Sequence, residues 1–109
     1  MKINFNNITR ETKPNFKGGE KEYNVKMFSD TMNKIMDGLL VHGASIGVHT
    51  HETSSEIIFI TSGSGKAIYD GTEERLSAGD CHYCPKGHTH TLINDGTEDL
   101  RFLAVVPEQ

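Results

Sequence analysis

The sequence predicts an all-β protein, a sandwich or barrel made of one domain. Its 109 residues are one domain's worth of chain, because single cores typically organise about 100 to 200 residues. Short segments with strand character follow one another, and clusters of Gly, Asn, Asp and Pro separate them. Many short strands joined by such turns are typical of all-β sandwiches and barrels.

The chain is predicted to divide into an N-terminal arm, residues 1–22, and a barrel domain, residues 23–109. The first 20 residues are polar and sustain neither the twofold period of a strand nor the 3.6-residue period of a helix. Turn-forming residues interrupt them repeatedly. We therefore expect the arm to make no core of its own.

Two strands are predicted in the next part of the chain. Apolar and polar residues alternate over residues 23–27, which predicts a half-buried strand that ends at a Ser-Asp turn signal. For residues 35–41 a short helix is the alternative, since Met32 and Met36 stand at helical spacing. A strand is favoured there, because an Asp-Gly pair would end a helix early.

The later strands are shorter and closely spaced. They are predicted at residues 45–50, 57–62, 66–69, 81–84, 91–94 and 100–106. Residues 72–75 are interpreted as a polar turn. The runs 57–60 and 102–106 are apolar on both faces. Each run should therefore be covered twice, either by two sheets or by one sheet and a partner subunit.

Composition limits the class of partner. Fifteen acidic residues against 11 basic ones give a net charge of −4, so no basic surface is expected for phosphate backbones or anionic membranes. The chain lacks the roughly 18-residue apolar run of a transmembrane helix and the apolar stretch of a signal peptide. Two cysteines are too few for a disulfide framework. We therefore expect a cytoplasmic protein without nucleic-acid or membrane partners.

Histidines in the middle of the chain predict a metal site. His49 and His51 should project from the same face of a strand, because residues i and i+2 do so, and can offer two imidazoles to one ion. Glu56 follows after four polar residues, enough to return a carboxylate from the neighbouring strand. His90 would come from a strand distant in sequence. Each feature taken alone has another interpretation. His-Thr-His could be the solvated end of a loop, and Glu56 could be an exposed acidic residue.

The spacing of these residues resembles the two motifs of the cupin superfamily. The first motif is a glycine, five residues, His-x-His, three or four residues, a glutamate, six residues and a glycine. The second is a glycine, five residues, Pro-x-Gly, two residues, a histidine, three residues and an asparagine. Every position is matched, by Gly43, His49, His51, Glu56, Gly63, Gly79, Pro85, Gly87, His90 and Asn94.

The resemblance implies a single-domain jelly-roll barrel made of two sheets. In that family His49, His51, Glu56 and His90 would bind one divalent metal ion. Three imidazoles and a carboxylate suit Mn, Fe, Zn, Ni or Cu, and leave positions open if the ion takes five or six ligands. Small single-domain cupins are commonly homodimers, so we expect a symmetric dimer whose interface includes residues 23–28 and one apolar sheet face.

Other side chains near the motifs have less defined roles. His88, in a turn two residues before the last predicted ligand, is the weak candidate for a general base, with a solvated turn residue as the alternative. The faces of His82 and Arg101 stay open, and replacing His82 is expected to leave the metal content unchanged. Cys81 and Cys84 are not expected to form a redox pair, because residues three apart in a strand point to opposite faces.

The leading functional hypothesis is a metalloenzyme for a small oxygen-rich molecule, such as a sugar, keto acid or hydroxy acid. The ion would chelate the substrate and act as a Lewis acid, in an isomerase, a lyase or a dioxygenase. The alternative is a non-catalytic module that binds a small ligand or metal as a sensor or carrier. Its support is that no arginine can be assigned to the cavity as an anion clamp. The fold alone does not choose between them.

Overall fold

The computed structural model describes all 109 residues and contains ten β-strands, two short 3₁₀ turns and no α-helix. The strands are β1 (Glu11–Pro14), β2 (Glu22–Ser29), β3 (Asn33–Leu40), β4 (Ser45–Thr50), β5 (Glu56–Ser62), β6 (Ser64–Tyr69), β7 (Thr72–Ser77), β8 (Cys81–Cys84), β9 (Thr89–Ile93) and β10 (Leu100–Pro107). The 3₁₀ turns span Phe5–Asn7 and Phe16–Gly18. No helix has the length and apolar character needed to cross a membrane.

The strands form two antiparallel sheets. The six-stranded sheet has the order β1-β2-β3-β10-β5-β8, and the four-stranded sheet has the order β4-β9-β6-β7. One hydrophobic cluster joins them, with Val25, Met36 and Phe102 from the larger sheet and Ile46 and Leu92 from the smaller one. The predicted all-β jelly-roll class is confirmed by this arrangement.

Alternation of side chains divides the core from the surface. In β10 the side chains of Leu100, Phe102 and Ala104 are buried, whereas Arg101 and Leu103 between them are exposed. Successive residues of a strand point to opposite faces, so a single strand serves both the core and the surface. Burying a large side chain such as that of Phe102 contributes roughly 1.5–3 kcal/mol.

Residues 35–40 are in strand β3, so a strand rather than a helix forms there, as predicted, and only Val41 lies beyond its end. The glycine that argued against a helix has a packing role there. A Cβ atom on Gly38 would lie 2.4 Å from the Phe102 ring and 3.0 Å from the Tyr23 ring. The missing side chain therefore gives the two stacked aromatic rings their place in the core.

Two segments have more regular structure than the sequence predicts. Residues 72–75 belong to β7, so their interpretation as a polar turn is wrong. The predicted arm contains β1, which pairs with β2. β1 and β7 each lie at the edge of a sheet, where polar residues are common. Backbone hydrogen bonds hold β1 and β7 in their sheets. Such bonds do not require alternating apolar side chains, so the sequence shows no strand pattern there.

The outward face of the six-stranded sheet is apolar around its β5, β8 and β10 strands. Phe59, Tyr83 and Leu103 are 49%, 53% and 42% exposed. Leu103 lies beside Phe59 in the register of β10 and β5, and Tyr83 lies beside Ile57 in that of β8 and β5. The core covers the inner face of these strands, whereas the three outward side chains remain about half exposed to solvent.

Candidate metal centre

Four potential metal ligands meet between the two sheets. His49 on β4 and His90 on β9 are register partners in the smaller sheet, so their side chains share a face. His51 follows the end of β4, and Glu56 begins β5 in the larger sheet. The ligand atoms of the four residues all lie within 4.8 Å of one another. The fold thus brings together all four residues that the motifs single out.

The geometry of this cluster suits a cation. The Nε2 atom of His90 lies 3.0 Å from Nε2 of His51, 3.1 Å from Nε2 of His49 and 3.0 Å from Oε1 of Glu56. A neutral imidazole carries only one N–H, so a ring that donates through Nδ1 directs a lone pair from Nε2 at this common point. A positive ion there removes the repulsion between the lone pairs and the carboxylate.

The other nitrogen of each ring already has a partner in the protein. Nδ1 of His49 bonds to the carbonyl oxygen of Gly47 at 2.7 Å, and Nδ1 of His51 lies 3.1 Å from Oγ of Ser54. The third imidazole bonds through Nδ1 to His82, at 3.0 Å. Metal-binding histidines typically use one nitrogen for the ion and the other for such a partner. These residues therefore fit a divalent metal ion bound through three Nε2 atoms and one carboxylate.

A cavity of about 470 Å³ lies beside the cluster, and His49, His51 and Glu56 line it. Its apolar wall includes Val25 and Met36 of the larger sheet. The volume is in the usual range for small-molecule sites, roughly 300–1,000 Å³. A ligand in the cavity could therefore contact the metal-binding residues at one side and apolar carbon atoms at the other.

The predicted arm supplies part of this cavity, including Lys13, Phe16 and Lys17. Its residues are held against β4 at very close range. A Cβ atom on Gly47 of β4 would lie 2.0 Å from the carbonyl oxygen of Lys17, and one on Gly19 would lie 2.1 Å from the carbonyl oxygen of Ser45. The two glycines thus let two backbones touch and place the arm at the cavity.

A family model described as a cupin domain matches residues 38–106. This span is more than half of the chain and includes all four potential ligands. The chain belongs to the cupin family. The resemblance found in the two motifs is thereby confirmed.

This cupin is similar to several known proteins. It is 32% identical to the oxalate-binding protein of Thermotoga maritima, over 97% of this chain and 93% of the relative. The crystal structure of a "predicted oxalate decarboxylase" from Thermotoga maritima matches with a TM-score of 0.93 at 30% identity, over 100% of both chains. The polyketide cyclase RemF of Streptomyces resistomycificus has a TM-score of 0.79 at 21% identity, over 98% of this chain and 78% of that one. This last likeness concerns the fold alone.

The electrostatics of the cupin's cluster favour a neutral His49 and an ionised Glu56. Burial lowers the pKa of His49, more than the bond to the Gly47 carbonyl raises it. Burial of Glu56 acts to raise its pKa, but the His51 and His90 imidazoles beside it outweigh that effect and lower the pKa to about 2. The cluster therefore offers a metal ion one negative charge at neutral pH.

His82 on β8 is the residue that sequence reasoning left unassigned. Its side chain is buried, with Nε2 at 3.0 Å from Nδ1 of His90 and Nδ1 at 2.9 Å from Oε1 of Glu74. The sequence led to the expectation that replacing His82 leaves the metal content unchanged. Its bond to His90, a potential ligand, argues against that expectation. Its inward direction follows from the pairing of β8 with β5, where His82 lies beside the buried Ile58. Alternation in β8 could have found it, once one inward residue of that strand was known.

His88, the predicted candidate for a general base, does not line the cavity. Its Nδ1 atom lies 2.5 Å from Oδ2 of Asp70 and 3.1 Å from the hydroxyl of Tyr69, and its ring stacks on that tyrosine. His88 precedes β9, so the alternation that aims His90 inward does not extend to it. Arg101 also points away, on the outward face of β10, 3.9 Å from Asp99.

The two cysteines are free and lie on opposite faces of β8. Cys81 is exposed and Cys84 is buried. Burial raises the pKa of the Cys84 thiol to about 11, so it stays protonated at neutral pH. The expectation that they do not form a redox pair is consistent with this arrangement.

Proposed function

We propose that this cupin binds one divalent transition-metal ion through His49, His51, Glu56 and His90, and holds a small oxygen-rich anion in the adjacent cavity. The observation that carries the proposal is the convergence of three imidazoles and a carboxylate at the edge of that cavity. When bound, the ion would supply open coordination positions for the ligand's oxygens and Lewis acidity. Three imidazoles and one carboxylate suit Mn, Fe, Zn, Ni or Cu.

Lysines at the cavity favour an anionic ligand. Lys13, Lys17 and Lys34 line it. The Nζ atoms of Lys13 and Lys17 lie 5.6 and 5.5 Å from the centre of the same ring, that of Phe16. Nζ of Lys13 lies 3.9 Å from Oε2 of Glu11, whereas Lys17 makes no ion pair, so the Lys17 ammonium is free to pair with an anion beside the metal. Short carboxylates of the oxalate class are the first candidates, and the name of the oxalate-binding relative supports this choice.

Catalysis on the same ligand is the second candidate function, as an isomerase, a lyase or a dioxygenase. Glu52 favours it, because this carboxylate lines the cavity directly after His51 and makes no ion pair within the protein. It therefore replaces His88 as the candidate general base. Against catalysis stands the absence of arginine from the cavity lining, which leaves anion binding to lysine point charges.

Calorimetric titration of oxalate, malonate and pyruvate into metal-loaded and metal-free protein tests the proposal. We expect measurable binding only with metal. Lys17→Ala should weaken it about fivefold, a loss of roughly 1 kcal/mol. The control is Lys86→Ala, because Lys86 bonds to the carbonyl oxygen of Gln109 outside the cavity. Equal binding with and without metal, or no binding by any of these acids, would contradict the proposed function.

Metal affinity should fall as the pH is lowered. Protons and metal compete for the imidazole nitrogens, so each ligand must be neutral to bind. Loss of affinity is expected below about pH 6.5, the ordinary histidine value. Because burial lowers the pKa of His49, this ligand resists protonation to lower pH than an exposed histidine. Chelator competition between pH 8 and pH 5 measures the effect, and a constant affinity would rule out a three-histidine site.

We also propose that the protein is a homodimer, with a revised interface. Residues 23–28 cannot supply a free edge, because β2 is already paired with β1 and β3. The exposed apolar side chains of Phe59, Tyr83 and Leu103 form the better surface. Contiguous apolar patches of this kind mark interaction sites on folded proteins.

Sedimentation measures this prediction. We expect the wild-type protein to be a dimer at micromolar concentration and Leu103→Glu to be a folded monomer, since a buried unpaired charge opposes association. Val48→Glu is the matched control, because Val48 is 69% exposed on the smaller sheet, away from the patch. A monomeric wild type would refute the dimer, and a dimeric Leu103→Glu would refute this interface.

A further inference from the structure

We infer that His82 and Glu74 form a positioning relay that fixes the ring orientation and tautomer of His90. The inference rests on the proposed metal site and extends it beyond the four ligands. The relay runs from His90 to Nε2 of His82 at 3.0 Å, and from Nδ1 of His82 to Oε1 of Glu74 at 2.9 Å. The side chain of His82 is only 1% exposed, so water does not compete for its buried bond to His90.

The proton positions along the relay follow from the geometry. Nε2 of His90 faces the other three ligands, so the single proton of the neutral ring resides on Nδ1. This N–H donates to Nε2 of His82, whose own proton must then be on Nδ1. That second N–H donates to the carboxylate of Glu74. Each donor thus meets an acceptor, and each ring is held in one tautomer.

The relay crosses between the two sheets. His90 on β9 and Glu74 on β7 belong to the smaller sheet, whereas His82 on β8 belongs to the larger one. The rings of His82 and His90 are within 18° of parallel, with centres 5.2 Å apart. Tilting His90 would therefore break a buried hydrogen bond to the opposite sheet.

His90 is also the only candidate ligand supported by a chain that ends in a carboxylate. His49 is held by a backbone carbonyl and His51 by a serine hydroxyl. A negative charge behind the relay makes Nε2 of His90 a better electron donor to a cation. The side chain of Glu74 is 42% exposed, so it can be changed without opening the core.

Zn²⁺ affinity, measured by competition with a chromophoric chelator at fixed pH, tests the relay. His82→Leu cannot accept the bond from His90, and we expect about 10- to 100-fold weaker binding. His82→Gln should recover part of the loss, because its amide can accept from His90 and donate to Glu74. Glu74→Gln should lose several-fold. Glu73→Gln is the matched control and should bind as the wild type does, since Glu73 precedes Glu74 on β7 but pairs with Lys66 of β6 at 3.0 Å.

Long-range ¹H–¹⁵N correlation spectra of the Zn²⁺-loaded wild type give an independent readout. A purely structural role of His82 would not fix which ring nitrogen carries its proton. Both His82 and His90 should carry their proton on Nδ1, and this holds as a test even if His82→Leu does not fold. A proton on Nε2 of His82, or an unchanged affinity of folded His82→Leu, overturns the relay alone. A wild type that binds no Zn²⁺ overturns the metal site and the relay together.

Discussion

Replacing His90 by alanine should remove nearly all bound metal and abolish the stabilisation that metal provides. His90 is central to the cluster, with its Nε2 atom within 3.1 Å of a ligand atom from each of the other three residues. An ion that binds only the folded state stabilises it, by about 2.7 kcal/mol at a hundredfold excess over Kd. The variant should lose this contribution.

Elemental analysis of protein purified without added metal, and thermal unfolding with and without metal, measure both effects. Metal should raise the Tm of the wild type but not that of His90→Ala. His88→Ala is the control, because that ring bonds to Asp70 outside the cavity; His82 cannot serve, since it contacts His90. Full metal occupancy in the double variant His51→Ala, His90→Ala would refute the site.

Replacing Gly47 by alanine should destabilise the fold by roughly 3 kcal/mol, at the upper end for an overpacked interior. The new Cβ would lie 2.0 Å from the carbonyl oxygen of Lys17 and 2.8 Å from the backbone nitrogen of Gly19. Both contacts are with backbone, so no side-chain rotation relieves them. The Phe16–Gly18 turn would have to leave β4 and take Lys17 from the cavity with it.

Urea unfolding measures the stability loss, and oxalate titration of the metal-loaded variant measures the loss of the cavity wall. Val48→Ala is the neighbouring control, because this side chain is 69% exposed and should change stability by less than about 0.5 kcal/mol. A Gly47→Ala protein as stable as the wild type would show that the arm does not pack against β4 as described.

Local spacing determined the candidate ligands and most of the strands of this protein. Residues two apart in a strand share a face, so His49 and His51 could be paired from the sequence. The numbers of residues between these histidines, Glu56 and His90 then resembled the spacing in the family's motifs. A strand with one buried face, such as β2, was predictable because burial imposes an alternation that the chain itself displays.

Only the tertiary structure decided which neighbours support the ligands and the cavity. The edge strands β1 and β7 are held by backbone pairing with β2 and β6, so their polar sequences hid them. His82 and His88 both lie within the second motif. Strand pairing turns His82 toward His90, whereas a turn directs His88 to Asp70. The arm's place at the cavity likewise depends on a backbone contact between Lys17 and Gly47. Such choices are made by contacts between different strands and turns, which the pattern within a single segment does not record.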